Sequence, residues 1–198
     1  AIEFNYDVMA DDLYEFMNEH QIIDPIVLGH SMGGKTAMQF AMNYPTKIEK
    51  LIVVDIAPKA YPVHHRQIID GLLSLDFDSI KSRKEADNQL SEFIEIPAIR
   101  QFLLKNLYWE SKEKLAFRFN LPVINQNIEV IGEALQNVKT FNKPTFFVRG
   151  IQSNYITEKD YENIKNIFPQ AQIESLDCGH WIHAEKPQEL YNLILSFA

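Results

Sequence analysis

Cysteine is all but absent: Cys178 is the single one in 198 residues. No internal disulfide can form, and a reducing compartment, the cytoplasm, is the expectation. No apolar run approaches the roughly 20 residues that cross a bilayer, so no transmembrane segment is expected. The opening Ala1-Ile2-Glu3-Phe4 has neither the basic region nor the apolar stretch of a signal peptide. Blocks of Lys and Arg are missing too, and the formal net charge is −8. A binder of phosphate backbones needs a basic face, so nucleic acid is excluded as a partner and a small or neutral substrate is the better expectation.

What the chain does have is apolar content, 46% hydrophobic over 198 residues. That suffices for one globular domain with a sizeable core and excludes disordered and collagen-like classes. Between Asp7 and Asn18, apolar Val8, Met9, Leu13, Phe16 and Met17 fall on one helical face, with Asn5 or Asp7 as the cap. Ile26-Val27-Leu28 follows Pro25 as a short strand, and Met32 to Asn43 reads as a helix that Pro45 stops. Leu51 to Asp55 is a continuous β-branched run of the kind buried on both faces of a parallel sheet. Thr145 to Val148 and Ala171 to Leu176 are two further strands, separated by a helical pattern at Glu158 to Ile167 and followed by another at Lys186 to Phe197. Such alternation predicts an α/β fold with a mostly parallel sheet flanked by helices.

Residues 57–141 break the alternation. Helical patterns fall at His65 to Leu73, Ser79 to Ile94, Pro97 to Leu107 and Asn125 to Leu135, and the alternating Leu115, Phe117 and Phe119 suggest a short strand. The expected organisation is a core in two halves, 1–56 and 142–198, with a mostly helical insertion at 57–141.

Gly29-His30-Ser31-Met32-Gly33 matches G-x-S-x-G, with a predicted strand before it and a helix after it. This context separates a nucleophilic serine, thrust out on a tight turn, from a serine that merely caps a helix. The flanking glycines would let the backbone pass its neighbours, and the Met32 amide at the helix N-terminus would donate to an oxyanion.

A serine needs a base at neutral pH, and histidine suits that work. His180, in the loop after the last strand, is the candidate; His183 is its rival, and His64 and His65 lie at the start of the insertion. For the acid, the segment after the 145–148 strand offers no carboxylate before Glu158 and Asp160. Asp55 ends the strand that follows the nucleophile helix, at the carboxyl edge where α/β sites form. Its alternative role is to cap the turn before Pro58.

With those residues in hand, the sequence resembles the α/β-hydrolase superfamily, and more closely its YbfF-like esterase branch. The resemblance rests on Gly29 to Lys35, Val54-Asp55-Ile56-Ala57-Pro58, Phe102 to Lys105 and Gly179-His180-Trp181 through Pro187. It implies Asp55 as the acid, a helical lid, and activity on short acyl esters or thioesters with no cofactor and no metal. One feature of the superfamily has no match before Ser31: the early His-Gly loop that supplies a second oxyanion donor. The early strands are also unmatched, so they are expected on an N-terminal segment of the same fold outside this numbering.

The resulting expectation is a serine esterase or thioesterase with Ser31, His180 and Asp55 as triad and Met32 in the oxyanion hole. Trp181, Phe117 and Phe119 are candidate walls of an acyl pocket. A hydrolase of carbon–carbon or amide bonds, and a catalytically silent ligand-binding protein on the same scaffold, are the alternatives.

Overall fold

The computed structural model describes residues 3–62 and 66–198. Helix α1 (Tyr6–Glu19) starts at Asn5, whose side chain accepts the Val8 amide at 2.8 Å, so Asn5 rather than Asp7 is the cap. It leads into strand β1 (Ile26–His30), helix α2 (Met32–Asn43) and strand β2 (Lys50–Val54). The next elements are α3 (Arg66–Leu73), α4 (Arg83–Leu90), α5 (Pro97–Leu104), β3 (Leu107–Trp109), β4 (Leu115–Phe117), α6 (Leu121–Gln126) and α7 (Ile128–Gly132). Strand β5 (Thr145–Gly150), helix α8 (Tyr161–Ile167), strand β6 (Ala171–Leu176) and helices α9 (Ile182–Glu185) and α10 (Pro187–Phe197) complete the chain.

Two compact units result, one of residues 62–132 and one of residues 3–61 together with 133–198. In the second, four parallel strands pair in the order β1-β2-β5-β6. The β-branched run of β2 shows why that sheet forms. Leu51 and Val53 face one apolar cluster with Met38, Phe40 and Phe147, while Ile52 and Val54 face another with Phe146, Val148, Ile182 and Leu190. Both faces are therefore covered, and each fully buried side chain of this size contributes roughly 1.5 to 3 kcal/mol. Register then aligns the strand ends: His30 lies beside Val54, and Val54 beside Val148. Residues just past those ends, Ser31 and Asp55 among them, emerge at one edge of the sheet.

The unit of residues 62–132 has its own core, including Leu72, Ile80, Leu90, Leu104, Leu107, Leu115 and Ile128. Its elements differ in detail from the sequence expectation. The Ser79 to Ile94 pattern is helical only over Arg83–Leu90, where the Ser82 side chain accepts the Glu85 amide and fixes the start. Leu107 is not the end of α5 but the first residue of β3, because it pairs with Phe117 across an antiparallel ribbon. Phe119 lies beyond β4, and the Asn125 to Leu135 pattern resolves into α6 and α7, broken at Asn127. Within the expected His65 to Leu73 helix, α3 covers Arg66–Leu73, and His65 lies outside the described residues. Among the described residues, no helix is long and apolar enough to cross a membrane.

Candidate active site

Ser31 occupies the single residue between β1 and α2, at φ 54° and ψ −122°. Positive φ in a residue with a Cβ is a strained conformation, held here by its neighbours. The Ser31 amide donates to Val54 of the adjacent strand at 3.1 Å, and its carbonyl accepts from Gly34 and Lys35 at 2.9 and 3.1 Å. Gly29 makes the turn possible: a Cβ there would sit 2.2 Å from the Gly33 carbonyl oxygen. Gly33 departs from the sequence expectation, since a Cβ at that position would meet nothing within 4 Å. Met32 opens α2, so its amide belongs to the first turn, where no carbonyl within the helix can accept it.

Asp55 also has positive φ, 49°, just past the end of β2, and its side chain is fully buried. The backbone there is pinned to β5 through the Asp55 amide on Val148 at 2.8 Å. One carboxylate oxygen, Oδ1, accepts the Gly150 amide at 3.0 Å; the other, Oδ2, lies 2.8 Å from Nδ1 of His180. Nε2 of His180 lies 3.0 Å from Oγ of Ser31. Serine hydroxyl, imidazole and carboxylate thus form an unbroken chain. An uncharged imidazole with its proton on Nδ1 would donate to Asp55 and leave Nε2 free to accept from Ser31.

The loop carrying His180 is held from behind. Glu185 accepts the amides on either side of the histidine, Gly179 at 2.8 Å and Trp181 at 3.2 Å. The Gln152 amide donates to the Cys178 carbonyl at 3.0 Å. Gly150 allows this approach, because a Cβ on it would lie 2.3 Å from the Gly179 carbonyl oxygen. His30 joins the group through Nε2, 2.9 Å from the His180 carbonyl oxygen. Burial is the main cause of a His30 pKa below the ordinary histidine value.

The sequence candidates divide as follows. Trp181 lies beside this hydrogen-bonded chain, its ring 5.7 Å from that of His180, and is substantially exposed. His183 packs on His30 and Trp181, with ring centroids at 4.9 and 5.9 Å. Asp160 is committed elsewhere: it pairs with Lys59 at 2.7 Å and accepts the amide and hydroxyl of Thr157. Phe117 and Phe119 stack on each other at 4.8 Å in the unit of residues 62–132. There they line a cleft of about 360 Å³ with Leu72, Leu75 and Leu121. His64 and His65 lie outside the described residues. Among the described residues, no group of three or more His, Cys, Asp or Glu side chains is arranged to hold a metal ion.

Three residues have no role in the sequence expectation. Tyr155, in the segment after β5, stacks on the His180 imidazole with centroids 4.0 Å apart and planes 20° apart. Glu185 and Lys35 both stand inside segments that carry the family resemblance, yet neither has a spacing that reveals its work. Lys35, near the start of α2, is buried; its Nζ donates to the Glu133 carbonyl and lies 5.3 and 4.8 Å from the rings of Tyr6 and Tyr61. Burial pushes its pKa down to about 8.

Comparison with known proteins agrees with this arrangement of strands and loops. The alpha/beta hydrolase fold family matches residues 2–187. The chain is 34% identical to the mouse sn-1-specific diacylglycerol lipase ABHD11, over 98% of the chain and 65% of that protein. It is 31% identical to the Escherichia coli esterase YbfF, over 96% of the chain and 73% of that protein. Among solved structures, a marine microorganism esterase superposes with a TM-score of 0.95 at 38% identity, covering all of this chain and 79% of that one.

Proposed function

The chain belongs to the α/β-hydrolase fold family, and on that footing we propose that it hydrolyses carboxylic esters or acyl thioesters with Ser31 as nucleophile. The observation that carries the reading is the hydrogen-bonded run from Ser31 Oγ through His180 to Asp55, at 3.0 and 2.8 Å. Its distances suit proton transfer in both directions. The relatives named esterase or lipase support the substrate class.

In the proposed cycle Ser31 Oγ attacks the acyl carbon while Nε2 of His180 takes its proton. Asp55 fixes the imidazole tautomer and stabilises the imidazolium without itself being protonated. Charge developing on the carbonyl oxygen meets the Met32 amide at the start of α2, where the helix dipole also favours a negative charge. His180 then returns the proton to the departing alcohol or thiol. Water enters, gives its proton to His180 and attacks the acyl-enzyme, and the acid leaves as Ser31 is regenerated. Trp181 is the residue we assign to the acyl-binding wall beside the triad. The unit of residues 62–132, with Phe117 and Phe119, is assigned as the lid; it is narrower than the expected 57–141, because Ala57, Leu135 and Phe141 pack in the core of the sheet-bearing unit.

Hydrolysis of p-nitrophenyl esters and acyl-CoA thioesters of increasing chain length tests the proposal. Turnover is expected on one or both series, and Ser31→Ala should abolish it. Full turnover by that variant, or no turnover on either series, contradicts the reading.

A further inference from the structure

We propose that Tyr155 is a positioning residue for the histidine base, restraining the His180 imidazole by its face and favouring it when it carries a proton; this rests on the triad reading above. The two bonds to His180 leave one motion open. Asp55 and Ser31 hold the ring at Nδ1 and Nε2, in its own plane. A ring held at two edge atoms can still rock about the line that joins them. The Tyr155 ring lies close to parallel against that plane, 20° from it and 4.0 Å away. Rocking would drive one ring into the other.

The contact also changes strength during the reaction. Against a neutral imidazole it is ordinary stacking. Once His180 has taken the serine proton, the ring is a cation over the electron-rich face of an aromatic side chain, and the attraction rises. An interaction stronger in the transition state than in the ground state raises kcat.

Tyr155 is itself anchored to the loop that bears the acid. Its amide donates to Ser153 Oγ at 3.2 Å, and its carbonyl accepts the Tyr61 hydroxyl at 2.6 Å. That same hydroxyl accepts the Ala57 amide at 2.7 Å, two residues past Asp55, and the Tyr61 ring packs on Tyr155 at 5.1 Å. The segment after β5, which offers no carboxylate to the histidine, thus offers an aromatic face. Acid and plate reach the imidazole from adjacent strands and are tied together.

The groups facing His180 are few enough for a pH profile to be read. They are Asp55 at Nδ1, Ser31 at Nε2, His30 with its ring 4.6 Å away, the edge of Trp181 at 5.7 Å, and Tyr155. Glu185 holds the flanking amides, and His183 contacts His30 and Trp181. Tyr155→Phe removes the hydroxyl alone, and Tyr155→Leu removes the hydroxyl and the aromatic face together, so the difference between the two reports the face.

The experiment measures kcat and the pH dependence of kcat/KM for Tyr155→Phe and Tyr155→Leu. Phe keeps the face and should match the parent within about twofold in kcat, with the acidic limb unmoved. Leu removes it and should lower kcat about tenfold. The acidic limb should also move down by roughly half to one pH unit, because an imidazolium without its aromatic neighbour gives up its proton more readily. Unchanged kcat and limb in Leu, or equal losses in Phe and Leu, overturn the proposal. Should Leu fail to fold, progressively fluorinated phenylalanines at 155 keep the shape while draining the ring face. The limb must then descend with fluorination, and a flat series overturns the proposal. Fluorophosphonate labelling of the parent separates the two levels: no label on Ser31 removes the triad reading and this proposal with it, while label on Ser31 with a flat series removes this proposal alone.

Discussion

The Gly150 amide donates to Oδ1 of Asp55 at 3.0 Å, which leaves Oδ2 as the oxygen that meets His180. Each carboxylate oxygen has one task, and an amide at this position can do only one of them. In Asp55→Asn the side-chain oxygen can accept either the Gly150 amide or the histidine proton, and the amide nitrogen presents a donor to the other. The imidazole is then pushed toward the wrong tautomer, and kcat should fall by up to roughly 10⁴, with the fold retained by circular dichroism. An Asp55→Asn variant within tenfold of the parent contradicts the assignment.

Asp160→Asn should separate stability from chemistry. Burial raises the pKa of Asp160, but the bonds from Lys59 and Thr157 outweigh it and hold the carboxyl below its ordinary value. Such a group contributes stability that is present above its unfolded pKa, near 3.8, and is lost as pH falls through the lower folded value. Urea denaturation should show the variant weaker by about 1 to 2 kcal/mol at pH 7, with the gap closing below about pH 4. Ester turnover at pH 7 should stay within about twofold of the parent.

The two outer glycines of the serine motif should behave differently. Gly29→Ala puts a Cβ 2.2 Å from the Gly33 carbonyl oxygen, between two backbone segments that cannot part without moving Ser31. A loss of about 1 to 3 kcal/mol in thermal or urea unfolding is expected, together with loss of turnover. Gly33→Ala meets no atom within 4 Å and should change stability by no more than about 0.5 kcal/mol. Equal effects at the two positions would contradict the geometry.

Lys35 gives a pH dependence of the same sense as Asp160, in a window several pH units higher. Its folded pKa is depressed to about 8 from an ordinary 10.5, so between those values the unfolded chain binds the proton and the folded chain does not. Stability of the parent therefore rises with pH across that window and is flat on either side. Lys35→Met lacks the rise. The stability of the parent minus that of the variant should grow by about 1 to 3 kcal/mol from pH 8 to 10.5. A gap that stays level or narrows contradicts the burial of a depressed amine.

Much of the site was legible in the sequence because its chemistry and its backbone geometry coincide. Ser31 stands where a strand runs into a helix with no room for a longer turn, and β2 declares itself by β-branched residues that must be buried on both faces. Asp55 follows from that strand's end. Elements of the 62–132 unit were harder, since Leu107 and its neighbours carry an apolar spacing that suits helix or strand, and only pairing with Phe117 decides. Tyr155 was hidden for another reason. Nothing local marks an aromatic residue as the face partner of an imidazole 25 residues away; only the side-by-side run of β5 and β6 brings the two loops together.

The most direct test of the central claim is intact-mass and peptide mass spectrometry after treatment with a fluorophosphonate. A single adduct is expected, on Ser31, formed far more slowly when His180 is replaced by Ala while His183→Ala remains close to the parent. An adduct on another serine, or on none, or loss of labelling with His183→Ala rather than His180→Ala, would contradict it.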